Sequence, residues 1–248
     1  MIPPRPPRQP LSLSITFPCY NEEANVERMT RASLEVAARV AADYEVVIVN
    51  DGSRDRTGEI ADRLAAEHPG VVRVVHNRPN KGYGGALKAG FLACRKEWVF
   101  YTDGDAQFDL NELPLLLPLL EQHDIVTCFR KNRRDPFHRK LNAAMWGGLV
   151  NLLFGLRIRD VDCAFKIYPR HLFETITMES DSALIDTEVL AKARNLGYSM
   201  TQLGVTHYPR TAGTQTGAKL SSIIKAFREL FRLYGRIRRA GREAGGRR

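Results

Sequence analysis

The sequence predicts an α/β protein with a Rossmann-like, mostly parallel sheet that carries helices on both faces. Strand-like and helix-like segments alternate strictly through residues 11–129, the pattern of parallel strands joined by crossover helices. Residues 45–49 are almost entirely apolar, as expected for a strand covered on both faces. Polar and acidic residues recur just after the predicted strands end. The length of 248 residues fits one large domain of this class.

The first half of the chain divides into five strands and four helices. We predict strands at residues 11–17, 45–49, 71–76, 98–101 and 125–129. Helices are predicted from residue 21 to about 42, from 55 to about 68, at 86–95 and at about 113–122. Asn21 is the predicted N-cap of the first helix, because Glu22 and Glu23 follow it in a first turn that favours acids.

The second half is less regular and begins with a basic loop followed by an apolar stretch. Residues 130–140 contain six basic residues and one acid, which indicates either a solvated surface or a site for a lipid phosphate. Residues 141–156 are apolar and include Trp146 and Phe154, which indicates either core or a membrane-facing segment. A strand at 165–168, a helix at 186–195 and a strand at 199–206 follow.

The end of the chain is predicted to be a basic amphipathic helix at residues 220–239. Its apolar residues recur every three or four positions, and four arginines recur on another face. From Lys219 onward there are ten basic residues and two acids, so this end carries +8 of the net charge of +9. The pattern is typical of a helix that lies in an anionic membrane surface. We divide the chain into a disordered lead-in (1–10), a folded domain (11–217) and this tail (218–248).

Composition excludes several classes of protein. The four cysteines are far apart and form no Cys-x-x-Cys pair, so they indicate buried thiols in a reducing cytosol and neither a zinc site nor a disulfide framework. Residues 1–10 lack the apolar core of a signal peptide, and no run of about 18 apolar residues predicts a transmembrane helix. We therefore expect a cytoplasmic protein on the inner face of the cell membrane.

Two acids follow the short apolar strand at 98–101. Asp103 and Asp105 flank Gly104 at the point where an open α/β sheet binds its ligands, beyond the carboxyl ends of its strands. Carboxylates this close repel each other, which indicates a cation between them. Mg²⁺ takes one or two carboxylates and leaves its other positions to phosphate and water, and Gln107 would add a neutral oxygen. The alternative is an ordinary turn, since Asp-Gly is a common turn pair.

Several short motifs together resemble the family 2 glycosyltransferases of the GT-A fold, in particular the dolichyl- or polyprenyl-phosphate sugar synthases. Singly each motif is weak, but their order and spacing span residues 11–217. They are Pro18-Cys19-Tyr20-Asn21-Glu22, Asn50-Asp51-Gly52-Ser53, Asn80-Lys81-Gly82-Tyr83-Gly84-Gly85-Ala86, Asp103-Gly104-Asp105-Ala106-Gln107, Asp162-Cys163-Ala164-Phe165-Lys166 and Tyr208-Pro209-Arg210 with Gly213.

The resemblance implies roles for individual residues. The nucleoside pocket of a nucleotide sugar would be lined by Pro18, Tyr20, Glu22 and Asp51. A Mg²⁺ or Mn²⁺ ion on its diphosphate would be held by Asp103, Asp105 and Gln107. Arg130 and Arg210 would meet the phosphates of acceptor or donor, and Asp186 and Glu188 sit where related transferases place acceptor-side acids. Ala164 stands where the family often has glycine, and a phosphate-binding lysine after Arg210 is missing or displaced to Lys219.

The loop at residues 77–85 is a candidate for the donor phosphates. It supplies Lys81, Gly82 and free backbone N–H groups, so it would approach a phosphate closely, as would the backbone at Gly104. It lacks the Gly-x-x-x-x-Gly-Lys-Ser/Thr spacing of a Walker loop. A plain flexible loop is the alternative.

The resemblance implies an enzyme that moves a sugar from a UDP- or GDP-sugar to a polyprenyl phosphate, with a metal ion and with inversion. The anionic membrane surface, and an integral-membrane protein, are the expected partners. One alternative is a hydroxyl acceptor on a glycan, which needs a general base such as Asp186 or Asp162. A basic nucleic-acid-binding protein is the other, but the tail has few aromatic residues for stacking on bases, so we expect no nucleic acid partner.

Overall fold

The computed structural model describes residues 11–131, 137–209 and 220–245. The predicted lead-in (1–10), residues 132–136 of the predicted basic loop, and Arg210 and Lys219 lie outside the described residues. The four cysteines are all buried, as predicted. Among the described helices, none combines the length and the apolar composition that crossing a bilayer demands.

Within the described residues the sheet has seven strands in the order β3-β2-β1-β4-β6-β5-β7. Strand β1 lies between β2 and β4 and pairs in parallel with both, and β5 pairs in parallel with β7. Strand β6 is antiparallel to both of its neighbours, β4 and β5. The strands are β1 Ser12–Cys19, β2 Asp43–Asn50, β3 Val72–His76, β4 Trp98–Thr102, β5 Ile125–Lys131, β6 Phe165–Pro169 and β7 Met200–Thr206.

Helices connect these strands and cover the sheet. They are α1 Val26–Val40, α2 Thr57–Glu67, α3 Gly82–Ala93, α4 Phe137–Phe154, α5 His171–Thr175, α6 Leu184–Asn195 and α7 Leu220–Gly245. Two 3-10 helices, Leu110–Leu115 and Leu117–Glu121, lie between β4 and β5. The predicted fold class, an α/β protein with a mostly parallel sheet and a C-terminal helix, is therefore confirmed.

Three local predictions are wrong for identifiable reasons. The helix predicted at 113–122 is two 3-10 helices, because Pro114 and Pro118 each remove a backbone donor. Asn21 is not a helix cap: helix α1 begins at Val26 after Asn25, and Asn21 adopts a left-handed backbone with φ of 56°. Helix α3 begins at Gly82, four residues earlier than predicted.

Helix α3 lies unusually close to the centre of the sheet. A Cβ added at Gly90 would come within 2.6 Å of Thr16 Oγ1 in β1 and 3.1 Å of Val49 in β2. Only a residue without a side chain fits at this distance. The close packing directs the N-terminus of α3, with Gly82 and Tyr83, to the carboxyl ends of these strands.

Helix α7 packs on the α/β body with its apolar face. Leu230, Leu233 and Ile237 are buried, and the Phe154 ring of α4 meets Tyr234 edge to face at 5.8 Å. Leu230, Leu233 and Ile237 therefore contact the protein body, while Phe227 and Phe231 stay exposed, and the attachment of this helix to a membrane surface remains a prediction. The exposed arginines of the helix, among them Arg228 and Arg232, remain on the outside.

The packing of α7 predicts a difference between two substitutions on neighbouring faces of the helix. Leu233→Ala removes a 4% exposed side chain from the core, and we expect it to lower the free energy of unfolding by about 2–5 kcal/mol. Phe231→Ala removes a 55% exposed side chain and is expected to change it by less than about 0.5 kcal/mol. Urea denaturation of both variants measures this. Equal effects would show that α7 does not pack as described.

Candidate functional site

The loops after β1 and β2 are locked to each other by reciprocal hydrogen bonds. The Asn21 N–H donates to Ser53 Oγ at 3.0 Å, and the Arg54 N–H donates to Asn21 Oδ1 at 2.8 Å. The left-handed backbone at Asn21 is a strained conformation that these two bonds support. The two strand ends therefore form one preorganised rim at the edge of the sheet.

Asp51, at the end of β2, holds the loop that follows β3. Its Oδ1 accepts hydrogen bonds from Asn77 Nδ2 at 2.8 Å and from the Lys81 N–H at 2.9 Å. Its carbonyl oxygen accepts another from Asn80 Nδ2. The Asp51 side chain is 3% exposed, so its contribution to this edge of the sheet is to fix the loop at 77–82.

A cavity of about 470 Å³ opens between these loops. The predicted pocket residue Tyr20 lines it, whereas Pro18, Glu22 and Asp51 lie outside its lining. Glu22 is instead buried and accepts a hydrogen bond from Asn25 Nδ2 at the start of α1. The cavity lining includes two arginines, Arg54 and Arg78, and several small or amide side chains: Asn50, Gly52, Ser53, Asn77 and Asn80.

Asp103, Gly104 and Asp105 lie beside this rim, at the carboxyl end of β4. A Cβ at Gly104 would come within 2.5 Å of the Pro18 carbonyl oxygen and 2.9 Å of Cys19 Sγ, so glycine is needed for the close approach of the two loops. The chain then turns through Ala106, whose φ of 57° is left-handed. The acidic segment is therefore a tightly constrained loop and more than an ordinary Asp-Gly turn.

Asp103 and Asp105 repel each other electrostatically, and a cation between them would relieve this repulsion. Loss of water and the neighbouring charge of Asp105 raise the pKa of Asp103 to about 7, although the Tyr83 hydroxyl donates to its Oδ1 at 3.0 Å. Burial and the charge of Asp103 in turn raise the pKa of Tyr83, which keeps that hydroxyl protonated as a donor. A divalent ion at this position would relieve the repulsion between the two carboxylates.

The residues present fit a hard divalent cation that shares its ligands with a phosphate. Asp103 and Asp105 supply oxygen ligands, and within the described ranges no group of three or more His, Cys, Asp or Glu side chains comes together to hold a metal alone. Such a partial ligand set is what Mg²⁺ uses when phosphates complete its shell. The Gln107 amide Nε2 donates to the Tyr208 carbonyl at 2.8 Å, so this side chain also ties the acidic loop to the segment after β7.

Arg130 lies at the end of β5 in a bidentate ion pair. Its Nε and one terminal nitrogen donate to the two carboxylate oxygens of Asp160 at 2.7 and 2.8 Å. Burial lowers the pKa of Arg130, but the pair with Asp160 outweighs it and holds that pKa above its ordinary value. The charge of Arg130 also acts on Asp103, so the pair stands close to the acidic loop. Arg210, its predicted counterpart, lies outside the described residues.

Asp186 lies near the acid pair and forms an ion pair with a buried lysine. Lys166 Nζ lies 2.5 Å from Asp186 Oδ1 and 3.0 Å from the Tyr101 hydroxyl, which itself donates to Asp186. The exposed fractions of Lys166 and Asp186 are 0% and 5%. Protonating Asp186 would leave a lysine charge without a partner inside the protein, which makes this carboxylate a poor general base.

Asp162 is the other acid that was predicted as a base. The residue as a whole is exposed, although its carboxyl group is largely surrounded by protein atoms and is affected by the charges of Asp186 and Arg130. Removal of water from the carboxyl group and the charge of Asp186 raise the pKa of Asp162 to about 6. A carboxylate with this pKa would accept a proton near neutral pH more readily than an ordinary aspartate.

Glu188 is a structural acid, unlike the acceptor-side role that the resemblance implies. The side chain is 0% exposed, and its two oxygens accept the backbone N–H groups of Glu179 and Ser180 at 2.9 and 2.7 Å. Burial raises the pKa of Glu188, but hydrogen bonds from Lys192 and from these N–H groups hold it below its ordinary value of 4.5. Glu188 therefore fixes the segment at 179–183, which precedes α6.

That segment touches both the N-terminus of α3 and helix α7. The Gly84 N–H donates to the Asp181 carbonyl at 3.0 Å, and a Cβ at Gly84 would come within 2.5 Å of the Ser182 carbonyl oxygen. On its other side, Ser182 Oγ donates to Glu229 of α7 at 2.8 Å, and Glu179 pairs with Arg236.

Sequence reasoning missed two groups of residues at this site. The cavity residues Asn77, Arg78 and Asn80 lie in the loop that was predicted only as a phosphate-binding or flexible segment. Their signal was the density of amide side chains directly after a strand. Lys166 had a weaker signal, a lone lysine within the otherwise apolar segment that forms β6.

Comparison with known proteins identifies the family. Residues 14–177 match the family described as glycosyl transferase family 2. The chain therefore belongs to glycosyl transferase family 2, and the predicted resemblance is confirmed.

Two curated proteins illustrate the similarity to individual relatives. The chain is 32% identical over 210 residues to Glycosyltransferase AglD of Haloferax volcanii, an alignment that covers 81% of this chain and 34% of that protein. It is also 32% identical over 166 residues to the undecaprenyl-phosphate 4-deoxy-4-formamido-L-arabinose transferase of Shewanella sediminis, covering 66% of this chain and 50% of that protein. The chain thus spans about a third to a half of the length of these curated relatives.

Two solved structures share the fold. The mannosyl-3-phosphoglycerate synthase of Rubrobacter xylanophilus superposes with a TM-score of 0.71 at 18% identity, over 94% of this chain and 75% of that one. The glucosyl-3-phosphoglycerate synthase of Mycobacterium tuberculosis, in complex with Mn²⁺, UDP and phosphoglyceric acid, superposes with a TM-score of 0.66 at 19% identity, over 90% and 77%. At these identities the likeness is one of fold.

The structural role of Glu188 predicts a pH-dependent stability. Glu188→Gln turns an amide donor toward one of the two backbone N–H groups, and we expect a loss of about 1–3 kcal/mol of unfolding free energy at pH 7. Because folding lowers the pKa of Glu188, the ionised side chain stabilises the wild type above pH 4.5, and this stabilisation is lost as the pH falls further. The difference between the two proteins should therefore narrow on acidification, as followed by urea denaturation.

The matched control is Glu59→Gln, at an exposed acid of α2 that pairs with the exposed Arg56 at 3.4 Å. It should leave stability nearly unchanged at every pH. A difference between Glu188→Gln and wild type that stays constant with pH would show that the charge of Glu188 is not what holds the segment.

Proposed function

We propose that the protein transfers a sugar from a nucleoside diphosphate sugar, with UDP or GDP as the nucleotide, to a polyprenyl phosphate. The observation that carries this proposal is the acid pair Asp103 and Asp105, held by Gly104 against the loop of β1 and adjacent to the cavity at the ends of β1 and β2. This acid pair, in which the pKa of Asp103 is raised, lies beside an arginine-lined cavity and suits a metal-bound diphosphate with its nucleoside in the cavity.

On the donor side, the cavity would receive the nucleoside and the acid pair would receive the diphosphate. Arg54 and Arg78 add positive charge to the cavity lining, and Tyr20 offers an exposed ring for stacking. The backbone of Lys81 and Gly82, at the N-terminus of α3, is held in place by Asp51 and Asn80. The Mycobacterium tuberculosis synthase was solved with Mn²⁺ and UDP bound together, which supports this arrangement by analogy of fold.

A divalent ion, Mg²⁺ or Mn²⁺, would be held by Asp103 and Asp105, with Gln107 as a further candidate ligand. Bound there, it would supply Lewis-acid neutralisation of the leaving diphosphate. The protein's own part is to hold the acids in register: Tyr83 orients Asp103, and the Gln107 N–H donates to Asp105 Oδ1 at 3.2 Å.

On the acceptor side, a phosphate monoester suits this site because Asp186, the predicted base, is already paired with Lys166. Its second pKa is near ~6, so it is largely a dianion at neutral pH and needs no general base. Asp186 is paired with Lys166 and is poorly suited to take a proton. The phosphate oxygen would form the new bond to the anomeric carbon while the bond to the nucleoside diphosphate breaks, which inverts that carbon. The Shewanella relative is an undecaprenyl-phosphate transferase, and this supports the same class of acceptor here.

Arg130 would position the acceptor phosphate together with Arg210. Arg130 is already bonded to both oxygens of Asp160, so it would face the phosphate through its remaining N–H donors. This leaves Arg130 as a positioning group whose orientation is set by Asp160.

A hydroxyl acceptor is the second candidate, favoured by Asp162. This exposed acid has a pKa of about 6 and is the group that a hydroxyl acceptor would use as base. A sugar hydroxyl that is glycosylated by wild type, together with loss of that reaction in Asp162→Asn, would make this the better account.

The test is a screen of UDP- and GDP-sugars against undecaprenyl phosphate, with phosphoglyceric acid and a free sugar as competing acceptors. We expect a polyprenyl-phosphate-linked product that requires Mn²⁺ or Mg²⁺ and disappears in EDTA.

Asp105→Ala should fold normally and reduce kcat/KM by about 10²–10³-fold, because it removes diphosphate neutralisation. The control is Glu97→Ala. Glu97 is an exposed acid just before β4, at the other end of this strand from Asp105, and the variant should be as active as wild type. Full activity of Asp105→Ala, or in EDTA, would contradict the metal role.

We also propose that the protein sits peripherally on the cytoplasmic face of the cell membrane, through exposed residues of α4 and α7. Met145 and Leu152 of α4, and Phe227 and Phe231 of α7, are exposed large apolar side chains. The ring of Trp146 meets Phe227 edge to face at 5.5 Å, which brings the two helices together. The arginines Arg228 and Arg232 flank this patch and suit anionic lipid headgroups. An integral-membrane partner is the alternative occupant of the same patch.

Liposome flotation tests this attachment without disturbing the buried face of α7. Phe231→Ser combined with Arg232→Glu should weaken binding to anionic vesicles, and rising salt should weaken binding of the wild type, because headgroup attraction is screened within a Debye length. Leu92→Ser combined with Arg95→Glu, at exposed positions at the end of α3, is the matched control and should bind normally. Salt-insensitive binding that survives the α7 substitutions would favour a protein partner.

A further inference from the structure

The two walls of the cavity meet at a cross-strand pair, Asn50 on β2 and His76 on β3. These residues are register partners in the parallel ladder, and Asn50 Nδ2 lies 3.0 Å from His76 Nδ1. Asn50 lines the cavity, and the N–H of Asn77, a residue of the opposite wall, donates to the Asn50 carbonyl oxygen at 2.9 Å. His76 lies outside the lining, so it stands directly behind a side chain that would face a ligand.

We propose that His76 is a positioning residue for the donor nucleoside, because it fixes the carboxamide of Asn50 in the orientation that supports the rim of the cavity. This inference rests on the function proposed above, in which the cavity receives the nucleoside, and it assigns to that site a residue that does not line it.

The hydrogen-bond partners determine how the Asn50 carboxamide is oriented. The Ser53 N–H is a backbone donor and lies 3.1 Å from Asn50 Oδ1, so the carboxamide oxygen must face Ser53. The amide nitrogen then faces His76, and since this nitrogen only donates, His76 Nδ1 must accept. His76 Nε2 therefore carries the ring hydrogen, which agrees with its distance of 2.9 Å from the carboxylate oxygen Oδ1 of Asp62.

This orientation is passed to the rim through Ser53. Ser53 Oγ accepts the Asn21 N–H at 3.0 Å, and Asn21 Oδ1 accepts the Arg54 N–H at 2.8 Å. Arg54 and Tyr20, which precedes Asn21, both line the cavity. Reversal of the Asn50 carboxamide would set its NH₂ group against the Ser53 N–H, so that two donors would face each other and the rim would lose this support.

Helix α2 encloses the pair from a third side. A Cβ at Gly58, in the first turn of α2, would come within 2.6 Å of Asn50 Nδ2 and 3.7 Å of His76 Cε1. Glycine at this position leaves the space that the carboxamide occupies. Asn50 is 7% exposed, so its side chain is held among Ser53, His76 and Gly58.

The test compares affinities for UDP and GDP, with Mn²⁺ present, by isothermal titration calorimetry of the full chain. His76→Leu removes the acceptor for Asn50, and we expect about five- to tenfold weaker nucleotide binding, the effect of one lost hydrogen bond in the rim. His76→Asn returns a carboxamide oxygen to the position of Nδ1 and should regain most of the affinity. In turnover assays, His76→Leu should raise the KM for the nucleotide sugar and leave kcat nearly unchanged, because the cavity binds the nucleoside equally before and during transfer.

A second variant reaches the same carboxamide without changing His76. Gly58→Ala places a methyl group against Asn50 Nδ2 and should weaken nucleotide binding to a similar degree. Alanine favours a helix more than glycine does, so this loss of affinity would not come from a weakened α2.

A matched control separates positioning from general destabilisation. Val72→Ala truncates a buried side chain at the start of β3, at the other end of this strand from His76. It should lower stability and leave nucleotide affinity unchanged, because the cavity lies at the carboxyl end of the strand.

The outcomes are distinguishable. If wild type binds neither UDP nor GDP, the proposed function fails and this inference fails with it. If wild type binds one of them, and both His76→Leu and Gly58→Ala bind it as tightly, the proposed function stands and the role of His76 is overturned. An equal loss of affinity in His76→Asn or in Val72→Ala would also overturn it, since the acceptor at Nδ1 would then not be what supports the rim.

Discussion

Several carboxylates lie close together after strand β4, and the rest of the site must balance their negative charge. Asp103 and Asp105 stand together because Gly104 lets their loop close against Pro18. Asp162 and Asp186 add two more acids from later parts of the chain. A structure that gathers this much negative charge must neutralise it by protonation, by internal cations or by a bound ion. Lys166 is a fixed internal cation at this place, and the remaining repulsion is what a divalent ion would relieve.

The part of the site that could be predicted from the sequence is the part made by neighbours in the chain. The ends of β1, β2 and β4 follow from the alternation of strands and helices, and their polar residues meet because parallel strands end at one edge. The reversal of β6 could not be predicted, since a five-residue apolar strand does not encode its direction. The pairing of Arg130 with Asp160, thirty residues apart, and the burial of Lys166 depend on that reversal and were missed for the same reason.

The C-terminal helix illustrates how one pattern has two physical solutions. Its three- and four-residue spacing of apolar side chains is equally suited to a bilayer and to another helix. In the structure, Leu230, Leu233 and Ile237 take the second solution, and only the outer margin of the helix keeps exposed aromatic rings and arginines. The sequence shows that the helix is amphipathic, but it does not show what the apolar face contacts. The residues that contact it, such as Phe154, are far away in the chain.

The segment at 179–183 has a mechanical consequence. It is pinned by Glu188, presses without spare room on the backbone at Gly84, and is bonded to α7 through Ser182 and Glu179. It therefore connects helix α7 to the N-terminus of α3 through direct contacts. A displacement of α7 against the body would therefore be passed through this segment to the backbone next to Tyr83, whose hydroxyl donates to Asp103. The position of the outer helix and the geometry of the acid pair are in this way coupled through direct contacts.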